Sequence, residues 1–535
     1  MKTNLKTYKV FMLAAIFFVS LTSCTKDLDI TPQDDQTLLG EDFFANESSY
    51  KELLAGVYAN LSLTGINGPE SSNIIGLDAG TSQFGRTLLY LQTLAADQMI
   101  WSYENDGGVA GIQRNNWTDQ NPVILGMFSR AHATVAFANN FLRETTTEKL
   151  DARGVSASTK AEVVTFRAEA RLLRALSYYY LIDLFGQANF VTEEDQVNSV
   201  PNAANRTELF TYVESELKAI EADLLAAKSN EHGRADKAVA AMILAKLYLN
   251  AEVYIGEAKY DECVIELNKI INAGYSLTPD YLLNFTADND TNAAKDEIIF
   301  PLVSDGTFIQ NYGPTTVLVN GSIGSIEANG AALGVGAGGW GGAIRLRKQF
   351  VELFDGGVFI TDTRNNIISG TRSKEIMDIS NKDQGYVIEK FSNAKSTGGF
   401  GADQTFVDTD FPLFRFADVY LMYAEAQLRG ATNATQTNAL TYVNNLRTRA
   451  KNPEAITAAG LTLDFILDER ARELHLEAHR RQDLIRFGKF TGGSYNWTWK
   501  GNGANGISLP AHLDLYPIPS ASLATSPNLK QNPGY

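Results

Sequence analysis

The sequence predicts a mainly α protein, a scaffold of tetratricopeptide-like helix pairs carrying an irregular, loop-rich half with a few short strands. Three observations predict it. Apolar residues recur at helical spacing through two separate regions, about 41–275 and 413–490. The intervening 276–412 and the tail 491–535 carry short β-type runs among Gly-, Asn- and Pro-punctuated loops. With 44% hydrophobic and 20% charged residues, the chain can bury a large core.

The N-terminus stands apart from this scaffold. Lys2, Lys6 and Lys9 precede a ten-residue apolar run, Val10 to Val19, that is too short to span a bilayer, which takes about 20 residues. Leu21-Thr22-Ser23-Cys24 then matches a lipobox, so 1–23 reads as a signal peptide and Cys24 as a diacylated N-terminus. Removing three lysines leaves 43 basic and 62 acidic residues, and the net charge moves from −16 to −19. So acidic a chain is not expected to bind nucleic acid, which needs clustered Lys and Arg. Residues 24–40, polar and acidic with Pro32, form a tether that extends to roughly 50 Å at ~3.3 Å per residue. No later apolar run reaches spanning length; the longest, 238–245, stops at Lys246. The chain is anchored to a membrane rather than crossing it. The only other cysteine, Cys263, falls in a helical pattern and is expected to be a buried thiol.

Along the scaffold, 165–186 places Phe166, Ala170, Leu173, Leu176, Tyr180 and Leu184 on one stripe and stops at Gly186, a C-cap. A helix over 207–227 follows, with Thr207 as N-cap candidate. Residues 236–275 read as a helix pair with small residues at the seam, the second helix starting near Ala258 and closing at Gly274. A second pair occupies 414–430 and 435–450, and one long helix is expected over 463–490. Short strands are expected at 297–303 and 385–391. The segment 321–342 has nine glycines in 22 residues and is expected to be a loop.

Catalytic and metal motifs fail on inspection. His475 and His479 are four apart, but Leu476 follows the first where a zinc protease helix needs Glu; both read as structural. Asp288, Asp290 and Asn292 start like a calcium loop, yet Ala293 replaces the turn glycine and Ile299 the bidentate Glu. Gly334, Gly336 and Gly339 spell a dinucleotide motif without the strand and helix it requires. No metal or cofactor is assigned; calcium is left without support. Arg470, Glu473, Arg480, Asp483 and Arg486 are expected to form a partly buried ion network that sets helix packing.

The positive signal is aromatic. Glycan sites combine flat rings for apolar C–H faces with polar side chains for hydroxyls. The stretch 95–121 mixes Trp101, Tyr103 and Trp117 with Asp97, Asn105 and Arg114. Trp340 stands alone in the glycine-rich loop, and Trp497 and Trp499 are spaced as on one face of a strand. The ligand-binding candidates are Trp101, Trp340, Asp97, Tyr103, Asn105, Arg114 and Trp117.

The lipobox, DERARELHLEAHRRQDLIRFGKF (468–490), FPLFRFADVYLMYAEAQLRG (411–430) and the ending LYPIPSASLATSPNLKQNPGY together resemble the SusD/RagB family of Bacteroidota nutrient-binding lipoproteins. The resemblance is collinear from Cys24 to Tyr535. It implies a SusD-like fold over 41–535, a single domain whose loop-rich part holds the ligand. It further implies a lipid-anchored outer-membrane protein facing the cell exterior, with Asp27 and Asp29 similar to a surface-export signal. The partner implied is a SusC-like TonB-dependent transporter, and the role is capture of oligosaccharides without cleavage. The alternative is a RagB-like peptide binder; a surface glycosidase stands third, with 62 acids but no supporting motif.

Overall fold

The computed structural model describes residues 40–74, 76–336 and 339–535. The signal peptide, Cys24, Asp27 and Asp29 lie outside the described residues. The chain divides into a unit ending at Ser49 and a compact unit from Tyr50 to Tyr535. In the first, Gly40–Phe43 is a short helix where the tether was expected to end.

The principal helices are α1 (Ser49–Ser62), α2 (Phe84–Leu89), α3 (Pro122–Glu144), α4 (Ala157–Leu184), α5 (Arg206–Ile220), α6 (Lys237–Leu249) and α7 (Tyr260–Ile271). After the loop-rich segment come α8 (Phe416–Leu428), α9 (Gln436–Arg449), α10 (Leu463–Leu474) and α11 (Arg480–Arg486). Helix α3 packs on α4, α4 on α5, α6 on α7, and α8 on α9, giving the expected pairs. The whole predicted stripe of α4 is buried, and Gly186 closes that helix at φ 69°, its N–H donating to the Leu181 carbonyl. Helix α6 is buried from Ala238 to Leu249, as a central helix must be, and the one charged side chain in that stretch, Lys246, pairs with Asp418 at 3.1 Å. Cys263 is buried in α7, which pushes its thiol up.

Two helical expectations need correction. The N-cap of α5 is Asn205 rather than Thr207: its side chain accepts from the Thr207 and Glu208 N–H groups, and Glu208 completes a capping box. The long helix over 463–490 is broken after Leu474, with Leu476 and Ala478 both at φ 60°. A left-handed non-glycine costs about 1–3 kcal/mol. The break is held by tertiary contacts: Leu476 N–H donates to Gln98 Oε1, and Glu477 is turned inward onto Arg415 and Lys390.

Among the described residues the strands form four two-stranded antiparallel ladders: β1 (Met99–Trp101) with β5 (Ile344–Leu346), β2 (Gln187–Phe190) with β3 (Asn202–Asn205), β4 (Ile298–Leu302) with β8 (Phe411–Arg415), and β6 (Ile367–Ile368) with β7 (Val387–Ile388). The expected runs at 297–303 and 385–391 contain β4 and β7. Trp497 and Trp499 do not lie in a strand. They occupy a turn, where Trp497 is fully buried and Trp499 adopts φ 68°.

Strand β8 runs straight into α8, and Arg415 at that junction joins the two halves. Its guanidinium bonds Glu297 at 2.9 Å, Glu473 at 2.6 Å and Glu477 at 2.6 Å, all fully buried. The expected ion network therefore exists, but it is wholly buried and divided. Glu473 belongs with Arg415, Arg449 and Arg364. Arg470 and Arg486 share Asp483, while Asp418 and Glu425 take their remaining donors. Arg480 pairs apart with Asp97. His475 and His479 are buried in this region; burial and the Lys246 ammonium push His479 down to about 3.

Candidate functional site

The loop between α1 and α2 is fixed from beneath by Arg130 of α3, which is fully buried. Its guanidinium donates to the Thr64 carbonyl (2.8 Å), the Ser82 carbonyl (2.7 Å) and Asn60 Oδ1 (3.2 Å). Burial beside these neutral acceptors pushes Arg130 down to about 10. The loop so held carries Asp78, which caps the short helix Ala79–Ser82 through Thr81 N–H. Gly80 leaves room for the guanidinium here: a Cβ would lie 2.3 Å from Arg86 Nη1 and push that side chain aside. Arg86 projects from α2, and its Nε donates to the Tyr90 hydroxyl at 3.0 Å. Its two outer nitrogens carry no hydrogen bond to another described residue, so they remain available to a ligand.

Strand β1 delivers Trp101, whose indole Nε1–H donates to Asp106 at 2.7 Å and which is 2% exposed. Trp340 meets it edge to face, centroids 5.8 Å apart at 79°. Tyr103 lies 6.2 Å from Trp101 at 65°. Tyr312 completes the wall, donating to Glu70 at 2.6 Å; burial and that carboxylate push its hydroxyl up to about 12. Trp101, Tyr103, Tyr312 and Trp340, with Glu70, Asp78, Asp106 and Arg86, line one cavity of ≈ 320 Å³. That is at the lower end of small-molecule sites, about 300–1,000 Å³.

Other cavities are larger but chemically different. One of ≈ 500 Å³ is lined by Asp288, Asp290, Asp305, Asp408 and Asp410 and contains no Phe, Tyr or Trp. Asp288 there is occupied by Ser396 and Thr286. Among the described residues no group of three or more His, Cys, Asp or Glu is arranged to hold a metal. Another, of ≈ 400 Å³, runs along α1 and mixes Leu54, Leu63 and Val303 with Tyr58, Phe300 and Phe308; its Arg234 is already held by Glu169. The smaller cavity differs in its two tryptophans, Trp101 and Trp340, which meet edge to face beside the Arg86 guanidinium and the carboxylates of Glu70, Asp78 and Asp106, a combination that suits a glycan.

The structure brings together three of the seven sequence candidates, Trp101, Tyr103 and Trp340. Asp97 is elsewhere, 1% exposed, with both oxygens on Arg480 at 2.8 and 2.7 Å and the Tyr495 hydroxyl at 2.7 Å. Burial pushes its carboxyl up, but Arg480 and Tyr495 outweigh this and hold it below the usual range. Trp117 is buried on Tyr516 with its Nε1 on the Tyr535 hydroxyl. Arg114 chelates Glu104 and covers the Trp499 ring at 4.3 Å. Asn105 is exposed and outside the cavity wall.

Along 98% of its length, and 98% of the relative's, the sequence is 33% identical to Starch-binding protein SusD of Bacteroides thetaiotaomicron. The chain belongs to the SusD family. The SusD family model matches residues 347–535. A SusD-like protein P25 of Formosa agariphila is 24% identical over 97% of both chains. Among solved structures, a SusD superfamily protein from Bacteroides vulgatus superposes with a TM-score of 0.70 over 92% of this chain and 99% of its own, at 18% identity. Surface glycan-binding protein A from B. thetaiotaomicron, in complex with laminarihexaose, gives 0.65 over 90% and 98%, at 19% identity. In this SusD-family chain, sequence reasoning missed Glu70, Asp78, Arg86, Asp106 and Tyr312. Arg86 sits in an ordinary helix and Tyr312 in an ordinary loop, so neither carried a local signal; Asp106 alone lay beside a flagged residue.

Proposed function

We propose that this protein is a cell-surface lipoprotein that captures oligosaccharides and passes them to a SusC-like TonB-dependent outer-membrane transporter. One observation carries the reading: four aromatic rings converge with Arg86 and Asp78 on a single open cavity. Ring faces stack on sugar C–H surfaces while the guanidinium and carboxylate take hydroxyls. The names of the relatives support it, one starch-binding and one holding laminarihexaose. Binding without cleavage is favoured because both relatives bear binding names, and two of the cavity carboxylates, Glu70 and Asp106, accept from the Tyr312 hydroxyl and the Trp101 Nε1–H. The reading uses no cofactor and no calcium. The reading includes attachment through Cys24 with the site facing outward; no helix among the described residues is long and apolar enough to cross a membrane.

Isothermal titration against a glycan panel that includes starch and laminarin oligosaccharides tests it, with product analysis after incubation. Wild type is expected to bind at least one glycan without shortening it, and Trp340→Ala to bind it more weakly. Binding of peptides but no glycan would replace this reading with the RagB-like one, and shortened products would replace it with a glycosidase.

A further inference from the structure

We propose that Tyr103 and Lys382 form a latch that sets the Trp340 platform in place before ligand arrives, with Lys382 a positioning residue outside the cavity. The inference rests on the glycan-binding reading of this site. Trp340 is carried by backbone that has little order of its own: Gly339, Gly341 and Gly342 all adopt positive φ, at 39°, 57° and 73°. Glycine leaves such a segment many accessible conformations, and a wandering platform loses affinity through the entropy of fixing it.

The platform is held on both sides of its peptide unit. Trp340 N–H donates to the Asn320 carbonyl at 3.0 Å. The Trp340 carbonyl accepts from the Tyr103 hydroxyl at 2.9 Å, across 237 residues of sequence. Having given its one proton to that carbonyl, the Tyr103 oxygen is left as an acceptor, and Lys382 Nζ donates to it at 2.7 Å. The same ammonium stands 4.3 Å from the centre of the Tyr103 ring. No described carboxylate forms an ion pair with Lys382, so its partner is the latch itself.

Lys382 is a firm post because its own loop is nailed down. The Arg372 guanidinium donates to the Lys382 carbonyl, and Arg345 donates to the carbonyls of Ile379, Asn381 and Gln384. Arg345 is wholly buried and Arg372 nearly so. Three segments, around Tyr103, Trp340 and Lys382, thus meet at one hydroxyl. The ring of Tyr103 lines the cavity while its hydroxyl faces the backbone that carries the second ring.

The test uses the mature chain and the variants Tyr103→Phe, Lys382→Met and Lys382→Arg. Amide hydrogen exchange of Gly339, Trp340 and Gly342 is measured without glycan, alongside titration with whichever panel glycan binds wild type. Losing one such hydrogen bond amounts to about a fivefold change in an equilibrium. Exchange at these amides is expected to rise about fivefold in Tyr103→Phe and Lys382→Met, and affinity to fall about fivefold. Lys382→Arg is expected to stay near wild type, with melting temperatures unchanged throughout. Unchanged exchange in Tyr103→Phe overturns the latch; if affinity alone falls, the hydroxyl touches ligand directly. A wild type that binds no glycan sinks the proposed function instead, since exchange still decides the latch without ligand.

Discussion

Asp97 separates the two ways of reading an acidic residue beside an aromatic loop. Neighbouring Trp101 and Tyr103 in sequence made it a ligand candidate; the fold gives it a structural task. Both its oxygens engage Arg480 at 2.8 and 2.7 Å, and both side chains are almost wholly buried. Asp97→Asn leaves the Arg480 cation uncompensated in the interior, which costs about 3–5 kcal/mol. For the compact unit Tyr50–Tyr535 the unfolding entropy near 60 °C is about 1 kcal/mol per kelvin, at ~2.1 cal/mol/K per residue. The melting temperature of Asp97→Asn is therefore expected to fall by about 3–5 °C, followed by circular dichroism at pH 7. Replacing the pair together, Asp97→Leu with Arg480→Met, is expected to recover most of that loss, because no buried charge is then left alone. Glycan affinity at temperatures well below melting is expected to stay within about twofold of wild type. An Asp97→Asn protein that melts like wild type, or that keeps its melting temperature and loses glycan, would refute the reasoning and return Asp97 to the site.

Further outcomes follow from the same geometry. Arg86→Met, which removes the guanidinium beside Asp78 and the donor to the buried Tyr90 hydroxyl, is expected to weaken glycan binding by about 2 kcal/mol, roughly 30-fold by titration, and to cost about 1–3 kcal/mol of stability. Gly126→Ala in α3 places a Cβ 2.5 Å from the Thr81 carbonyl oxygen, so α3 or the Asp78 loop must shift; a loss of about 1–3 kcal/mol in denaturant unfolding is expected. Acid is expected to destabilise the fold. Asp483, pushed up by burial but held lower by Arg470 and Arg486, sits at about 2 against 3.8. A folded-state value below the unfolded one gives stability that is present above about pH 4 and lost as pH falls toward 2, about 2.5 kcal/mol from this residue alone. About 1 kcal/mol of this is lost between pH 6 and pH 3, which chemical unfolding at the two pH values measures; equal stability at both would contradict the pairing.

The sequence by itself determined part of the helical inventory, because the period of apolar residues is a local code: the stripe of α4, its stop at Gly186 and the pairs α6–α7 and α8–α9 all lie within short windows, whereas α3 was not singled out. It also flagged Trp101, Tyr103 and Trp340 by composition. Tertiary structure decided what local codes do not reach. The break at Leu476 has no Pro or Gly to announce it, and exists because Glu477 is drawn into the buried charges of Arg415 and Lys390. Asp97 and Trp117 left the candidate site because Arg480 and Tyr535, far along the chain, claimed them first. Arg86, Asp78 and Tyr312 joined it because the fold brings Tyr312 to Glu70 across 242 residues. A helix is written in neighbouring residues, whereas a binding site is written in which distant segments pack together.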